Sequence, residues 1–482
     1  MNLSLIFTTV LKHFTEGPPV KSWDLKFHLA VAMIKNNDSI WDLPTEGLQN
    51  RSYEFKVPSN IIIKEVTLNE RYRQKSKLHL EKGLKQYEDV LDDKWKEPKD
   101  MITGEWVYIK EDEEIKNNEM DKVVFHIHGG AYCIGSAKLS RALTSKYVEL
   151  AKARVFSTNY RLAPQNQFPA SLCDTIAAYL YLIDPEPDAG FKPINPKKIV
   201  IAGESAGGGL ALATLLFLRD AGLPLPGGAI LLSPWLDLTH SMPSFWDTEI
   251  ITADLIRDTF NIRPSSSLAD EFIADAKSLS DKIAQKKPAI VSHPSFIEVP
   301  RFQLYCTNEA LAIPYISPLL AESLGNLPPI LCQVGGFERL RDEAIFFSYK
   351  AAYPQEYQLP SYATKNFEKS PFKKPTKVIL EVYNDMPHFW QMFQFSKSSQ
   401  ISLERCGEFI KRVTSIEDNN TSMIDLLKED VVSPPISISP SFIGMRVGIN
   451  GEIRELNETD QDCLKWDKIG IVPKETMRMK KL

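Results

Sequence analysis

The chain has 482 residues, 43% of them hydrophobic and 25% charged, a composition that supports a packed core and excludes a fibre or a disordered tail. Lys and Arg number 57 against 62 Asp and Glu, a net charge of −5, so no bulk field draws the chain to nucleic acid or to an anionic membrane. Six scattered cysteines without a CxxC pair, and histidines without clustering, point away from a zinc site and a disulfide framework and toward a reducing compartment such as the cytoplasm.

Leu3 to Leu11 is apolar, but no basic leader or small-residue cleavage site marks a secretory signal peptide. The run also falls short of the ~20 residues that cross a bilayer. Two readings stand: the apolar face of a first helix, or a weak foot on a membrane or lipid surface. Ser22-Trp23-Asp24 can cap a helix through Leu25, Leu29, Ala32 and Met33. Glu70 to Lys96 is heavily charged and reads as solvated helix or loop, and the polar run from Lys110 to Lys122 closes this region.

From Val123 the texture changes to short apolar runs alternating with helical patterns, as in βαβ units around a parallel sheet buried on both faces. Strands are predicted at Val123–Ile127, Val155–Tyr160, Ile199–Ala202, Ala229–Leu232, Ile330–Val334 and Val378–Tyr383. Helices are predicted at Ser140–Ala153, Ser171–Ile183, Ala206–Ala221 and Arg341–Ala352. The fold class is therefore α/β, a mostly parallel central sheet flanked by helices. Residues 243–311 break the rhythm with helical stretches at Thr252–Arg257 and Leu268–Gln285 and read as an insertion. After Arg412 the chain turns polar and Pro/Ser-rich, a linker followed by a small appendage in which Gly444 to Gly451 and Trp466–Pro473 are apolar enough to dock.

Gly203-Glu204-Ser205-Ala206-Gly207 joins the run Ile199–Ala202 to a helical pattern. A GxSxG between strand and helix is a nucleophile elbow, with glycines permitting a strained turn and the serine hydroxyl standing at a helix N-terminus. Upstream, strand Val123–Ile127 ends in His128-Gly129-Gly130-Ala131. Adjacent glycines at a strand end offer backbone N–H groups to a developing oxyanion, so Gly129, Gly130 and Ala206 are the expected oxyanion donors. His128 reads as a structural anchor of that loop. The general base should follow the nucleophile, and His388 lies after the last strand. Its orienting carboxylate is assigned to Glu338, in the loop after Ile330–Val334, with Asp342 as the fallback on the following helix.

These motifs resemble the hormone-sensitive-lipase-like branch of the α/β-hydrolases, which includes arylacetamide deacetylases and microbial and fungal carboxylesterases; the chain reads as a fungal-type long form. The resemblance spans about residues 118–412. It extends to Tyr160-Arg161-Leu162-Ala163-Pro164, to Phe168-Pro169-Ala170 with Asp174, to Ser233-Pro234-Trp235-Leu236-Asp237-Leu238 and to Ser317-Pro318-Leu319. Two positions depart from the family pattern: Ala131 replaces the third glycine of HGGG, and Glu338 stands where Asp is usual. The resemblance implies residues 1–117 as an N-terminal cap, 118–412 as the catalytic domain with 243–311 as a cap insertion, and 413–482 as linker and appendage.

It also implies hydrolysis of a small-molecule carboxylic ester, with short acyl and apolar or lipid-like alcohol parts, through an acyl-enzyme and without metal or organic cofactor. Phe245, Trp246, Phe260, Phe389 and Trp390 are candidate apolar walls. An amide deacetylase and a non-catalytic small-molecule receptor on the same fold are the alternatives. Oligomeric state is not legible in the sequence.

Overall fold

A computed structural model describes residues 3–36, 43–50, 57–110, 122–257, 266–286, 303–357, 370–415 and 439–469. Phe260, part of the 243–311 insertion and the end of the appendage lie outside these residues. The strands are β1 (Ile61–Thr67), β2 (Thr103–Ile109), β3 (Val123–Ile127), β4 (Arg154–Asn159), β5 (Ile199–Glu204), β6 (Gly228–Leu232), β7 (Ile330–Gly335), β8 (Val378–Tyr383), β9 (Phe442–Val447) and β10 (Ile453–Glu455). They form one ten-stranded sheet in the order β1-β2-β4-β3-β5-β6-β7-β8-β9-β10. Pairing is parallel from β4 to β9 and antiparallel at β1/β2, β2/β4 and β9/β10.

The central strands β3, β5, β6, β7 and β8 are buried at every position, which is why they read as continuous apolar runs rather than alternating ones. Their pleat sends successive side chains to opposite cores. Val123, Phe125 and Ile127 join one cluster and Val124 joins the other. The longer helices are α1 (Leu3–Thr15), α2 (Leu25–Lys35), α3 (Glu70–Gly83), α4 (Arg141–Ala151), α5 (Ala170–Ile183), α6 (Ala206–Asp220), α7 (Ser267–Lys286), α8 (Arg341–Ala352) and α9 (Lys397–Ser415). Helices α3, α5, α6 and α8 pack on one face of the sheet; α2, α4 and α9 pack on the other. Helix α2 starts as its sequence predicts, with Asp24 accepting from the Phe27 amide at 2.7 Å.

Two findings differ from the sequence expectations. The sheet runs past both boundaries set at 118 and 412: β1 and β2 extend one edge, and β9 pairs in parallel with β8 on the other. Charged Lys64 and Glu65 in an edge strand, and Gly444 inside β9, broke the pattern that would have revealed them. The helix expected over Thr252–Arg257 runs instead over Thr248–Ala253, because Asp254 leaves it to serve the site described below. Helix α7 of the insertion meets the N-terminal region, where Glu46 accepts from the Ser266 hydroxyl at 2.7 Å and the Ser267 amide at 3.1 Å.

Candidate active site

Ser205 sits between β5 and α6 with φ 55° and ψ −125°, a conformation costly for a side chain with a Cβ and held only by its surroundings. The flanking glycines are needed for space. A Cβ on Gly203 would lie 2.3 Å from the Gly207 carbonyl oxygen, and one on Gly207 would lie 2.1 Å from that of Ile127. The Ser205 amide donates to the Leu232 carbonyl at 2.9 Å, and its own carbonyl accepts from Gly209 and Trp235. The hydroxyl is thus presented on a fixed turn at the carboxyl edge of the sheet.

Two loops from the same edge converge on it. His388, after β8, places Nε2 2.9 Å from Ser205 Oγ. Glu338, after β7, places Oε1 3.4 Å from His388 Nδ1. The second Glu338 oxygen accepts from the Ser233 hydroxyl and the Gly335 amide, each at 2.7 Å. Asp342 faces elsewhere: it accepts from the Ser244 amide at 2.9 Å and from Arg341 Nε at 2.9 Å. His128 is buried, stacked on Tyr160 at 4.2 Å with Nδ1 2.8 Å from the Gly129 carbonyl oxygen, and burial pushes its imidazole down to about 4.

The oxyanion expectation needs one correction. The Gly129 amide is already committed, donating to Glu204 Oε1 at 2.9 Å, so it has no proton left for a substrate. Gly130, Ala131 and Ala206 donate to no acceptor among the described residues. Gly130 (φ 112°) and Ala131 (φ 52°) turn along the wall of a cavity of about 440 Å³ that also holds Ser205 and His388. That cavity is lined mainly by apolar side chains, including Ile34, Leu143, Phe245, Ile256, Phe389 and Met392. Of the expected walls, Trp246 packs behind Phe245, and Trp390 is buried against Tyr383.

Known proteins share this fold. Residues 124–292 match a family model described as an α/β hydrolase fold. An acetyl-hydrolase of Streptomyces hygroscopicus is 29% identical over 294 residues, covering 61% of this chain and 76% of the relative. An esterase of Acinetobacter venetianus is 32% identical over 241 residues, 50% of this chain and 64% of that protein. The crystal structure of an esterase of the bacterial hormone-sensitive lipase family superposes with a TM-score of 0.51 at 25% identity, covering 80% of this chain and 96% of that one. Its fold and its relatives are those of the hormone-sensitive-lipase-like α/β-hydrolases.

Sequence reasoning missed two residues of this hydrolase that hold the histidine loop. Asp254, fully buried, accepts from the His388 amide at 2.7 Å through one oxygen and from the Arg339 amide at 2.8 Å through the other. It ties the His388 loop to the Glu338 loop by their backbones. Ser233, with φ 44°, donates to Glu338 and accepts from the Phe389 amide at 3.0 Å. The Ser233–Leu238 motif pointed to the second; nothing in the local pattern around Asp254 signals its contact 134 residues away.

The electrostatics of the hydrolase follow from these contacts. Burial alone would lower the His388 imidazole, but the hydrogen bond and charge of Glu338, with Asp254 and Glu204 beyond it, hold it above the ordinary histidine value. Burial pushes the Glu338 carboxyl up, against the opposing pull of His388.

Proposed function

We propose that this hydrolase cleaves carboxylic esters with Ser205 as nucleophile, His388 as general base and Glu338 as the carboxylate that orients His388. The observation that carries the reading is the 2.9 Å approach of His388 Nε2 to Ser205 Oγ with a buried carboxylate behind the ring. His388 takes the hydroxyl proton as Ser205 attacks the carbonyl carbon. The oxyanion is met by the amides of Gly130, Ala131 and Ala206 rather than by Gly129. His388 returns the proton to the leaving alcohol, then activates a water that releases the acid from Ser205.

The apolar cavity suits an ester whose alcohol part is apolar or lipid-like, and the named activity of the acetyl-hydrolase relative supports a short acyl part. The six cysteines, all free and buried, fit a reducing compartment such as the cytoplasm. No helix of the described residues is long and apolar enough to cross a membrane. Helix α1 nevertheless turns Leu3, Phe7, Leu11 and Phe14 outward, 52–74% exposed, along one side flanked by Ser4, Thr8 and Lys12. At ~200 Å² for each large side chain the stripe offers on the order of 500 Å², less than the ~800 Å² each partner buries in a stable dimer. It fits shallow contact with a phospholipid surface, and α2, on which α1 packs, contributes Ile34 to the cavity.

Labelling with a fluorophosphonate tests the chemistry. The wild type should label at Ser205 and hydrolyse p-nitrophenyl acetate faster than the palmitate, and Ser205→Ala should lose both label and activity. An unlabelled wild type would return the chain to the receptor reading.

A further inference from the structure

Glu204 immediately precedes the nucleophile, yet its carboxylate reaches back to the opposite side of the site. Oε1 accepts from the Gly129 amide at 2.9 Å and from the Ser140 hydroxyl at 3.3 Å. Oε2 lies 2.9 Å from His126 Nε2, whose Nδ1 lies 2.9 Å from the Ser157 hydroxyl. Glu204 thus ties together β3, the oxyanion loop and the approach to α4, and reaches β4 only through His126. It also lines the cavity. Burial would raise its carboxyl, but His126 and the Gly129 amide outweigh burial and hold it below the usual carboxylate value.

The loop it grips requires an anchor. Gly130, Ala131 and Tyr132 follow one another at φ 112°, 52° and 62°, two of them non-glycine residues in the left-handed region. The loop's far side is fixed, with the Tyr132 carbonyl accepting from Ala163 at 2.9 Å and the Tyr132 ring stacked on Tyr305 at 3.9 Å. Its near side is fixed at Gly129 by Glu204. A negative charge beside a developing oxyanion opposes the reaction electrostatically, so its presence there calls for a geometric benefit.

We propose that Glu204 is a positioning residue: by holding the Gly129 amide it aims the next amides, Gly130 and Ala131, at the oxyanion formed on Ser205. The proposal rests on the esterase reading above and deepens it. It assigns a role to the variable residue of the GxSxG motif that neither the motif nor the triad requires.

Kinetics of Glu204→Ala and Glu204→Gln test it. Glu204→Ala should lose about 10²-fold in kcat, the scale of a lost oxyanion donor, with KM changed less than about threefold. The inhibition constant of an aryl trifluoromethyl ketone, which forms a tetrahedral adduct with Ser205, should rise by a similar factor. Glu204→Gln keeps an oxygen for Gly129 and should restore most of both quantities. If Glu204→Ala does not fold, Glu204→Asp, whose shorter stem draws the carboxylate back from Gly129, should show the same fall in kcat at constant KM. The proposal is overturned if kcat is unchanged in a folded Ala or Asp variant, if kcat falls while the ketone binds as before, or if Glu204→Gln is as impaired as Glu204→Ala. Absence of fluorophosphonate labelling in the wild type would instead overturn the esterase reading itself.

Discussion

Glu338 and Asp342, the two candidates for the orienting carboxylate, follow β7 four residues apart and face different ways. Glu338 points at His388, whereas Asp342 caps the Ser244 amide across the insertion. Their substitutions should therefore separate cleanly. His388 must be neutral to accept a proton, so kcat/KM rises with pH through its pKa, and Glu338 holds that pKa above the ordinary histidine value. Glu338→Gln removes the raising charge, so the acid limb of a pH profile between about 5 and 9 should move to lower pH while the plateau falls about 10³-fold or more. Asp342→Asn should leave the limb in place and cost about 1–2 kcal/mol in urea unfolding through its weakened hold on Ser244. A limb that moved in Asp342→Asn instead would give the orienting role to the helix carboxylate. His128 behaves in the opposite sense to His388. Its folded value, down to about 4 from an ordinary value of 6.5, means the fold keeps it neutral; stability tied to it is present above pH 6.5 and lost as pH falls toward 4. That loss amounts to about 3 kcal/mol at 1.36 kcal/mol per pH unit, and His128→Gln should flatten the decline in unfolding free energy across this window.

At the scale of elements, legibility followed burial. Strands β3, β5, β6, β7 and β8, buried on both faces, stood out as apolar runs, and Ser205, His388 and Glu338 could be placed because each lies at the end of one of them. Edge strands β1 and β10 carry charge outward and left no such trace. The donor assignment to Gly129 failed for a different reason: a glycine pair announces close approach of backbone to ligand, but not which of its amides another side chain has already taken. Nor could local spacing reveal Asp254, whose partners come from two distant loops. Helix α1 was visible only as an ambiguous apolar run, and its packing on α2 resolves which side faces outward. Phe7→Asp with Phe14→Asp should abolish co-flotation with phosphatidylcholine vesicles containing phosphatidylserine, while hydrolysis of p-nitrophenyl acetate in free solution stays within about twofold. If the double variant still floats, or if the wild type does not, the lipid-surface reading of α1 fails; concentration-dependent dimerisation lost in the variant would assign the stripe to a second copy.

At the scale of the whole molecule, the segment beyond the motif span is part of the sheet that aims the site. Strand β9 satisfies the open edge of β8 in parallel register from Phe442 to Val447, and β10 then closes the sheet in antiparallel pairing. The same segment steadies the loop that carries His388: the Asn384 amide donates to the Val447 carbonyl at 2.8 Å, and Arg446, clamped by Asp460, donates to the Asn384 side chain at 2.7 Å. Truncation after Ser415 removes none of Ser205, Glu338 or His388, yet it bares the backbone of a fully buried strand and releases the histidine loop. An exposed, apolar strand edge is a template for association, so the truncated chain should pass mostly into the insoluble fraction or sediment as oligomers. Any soluble monomer should label with a fluorophosphonate at least about tenfold more slowly than the full chain, a penalty on the scale of losing one or two hydrogen bonds that place His388. A truncated chain that stayed monomeric and labelled at the full rate would instead confine the catalytic unit to residues 1–415.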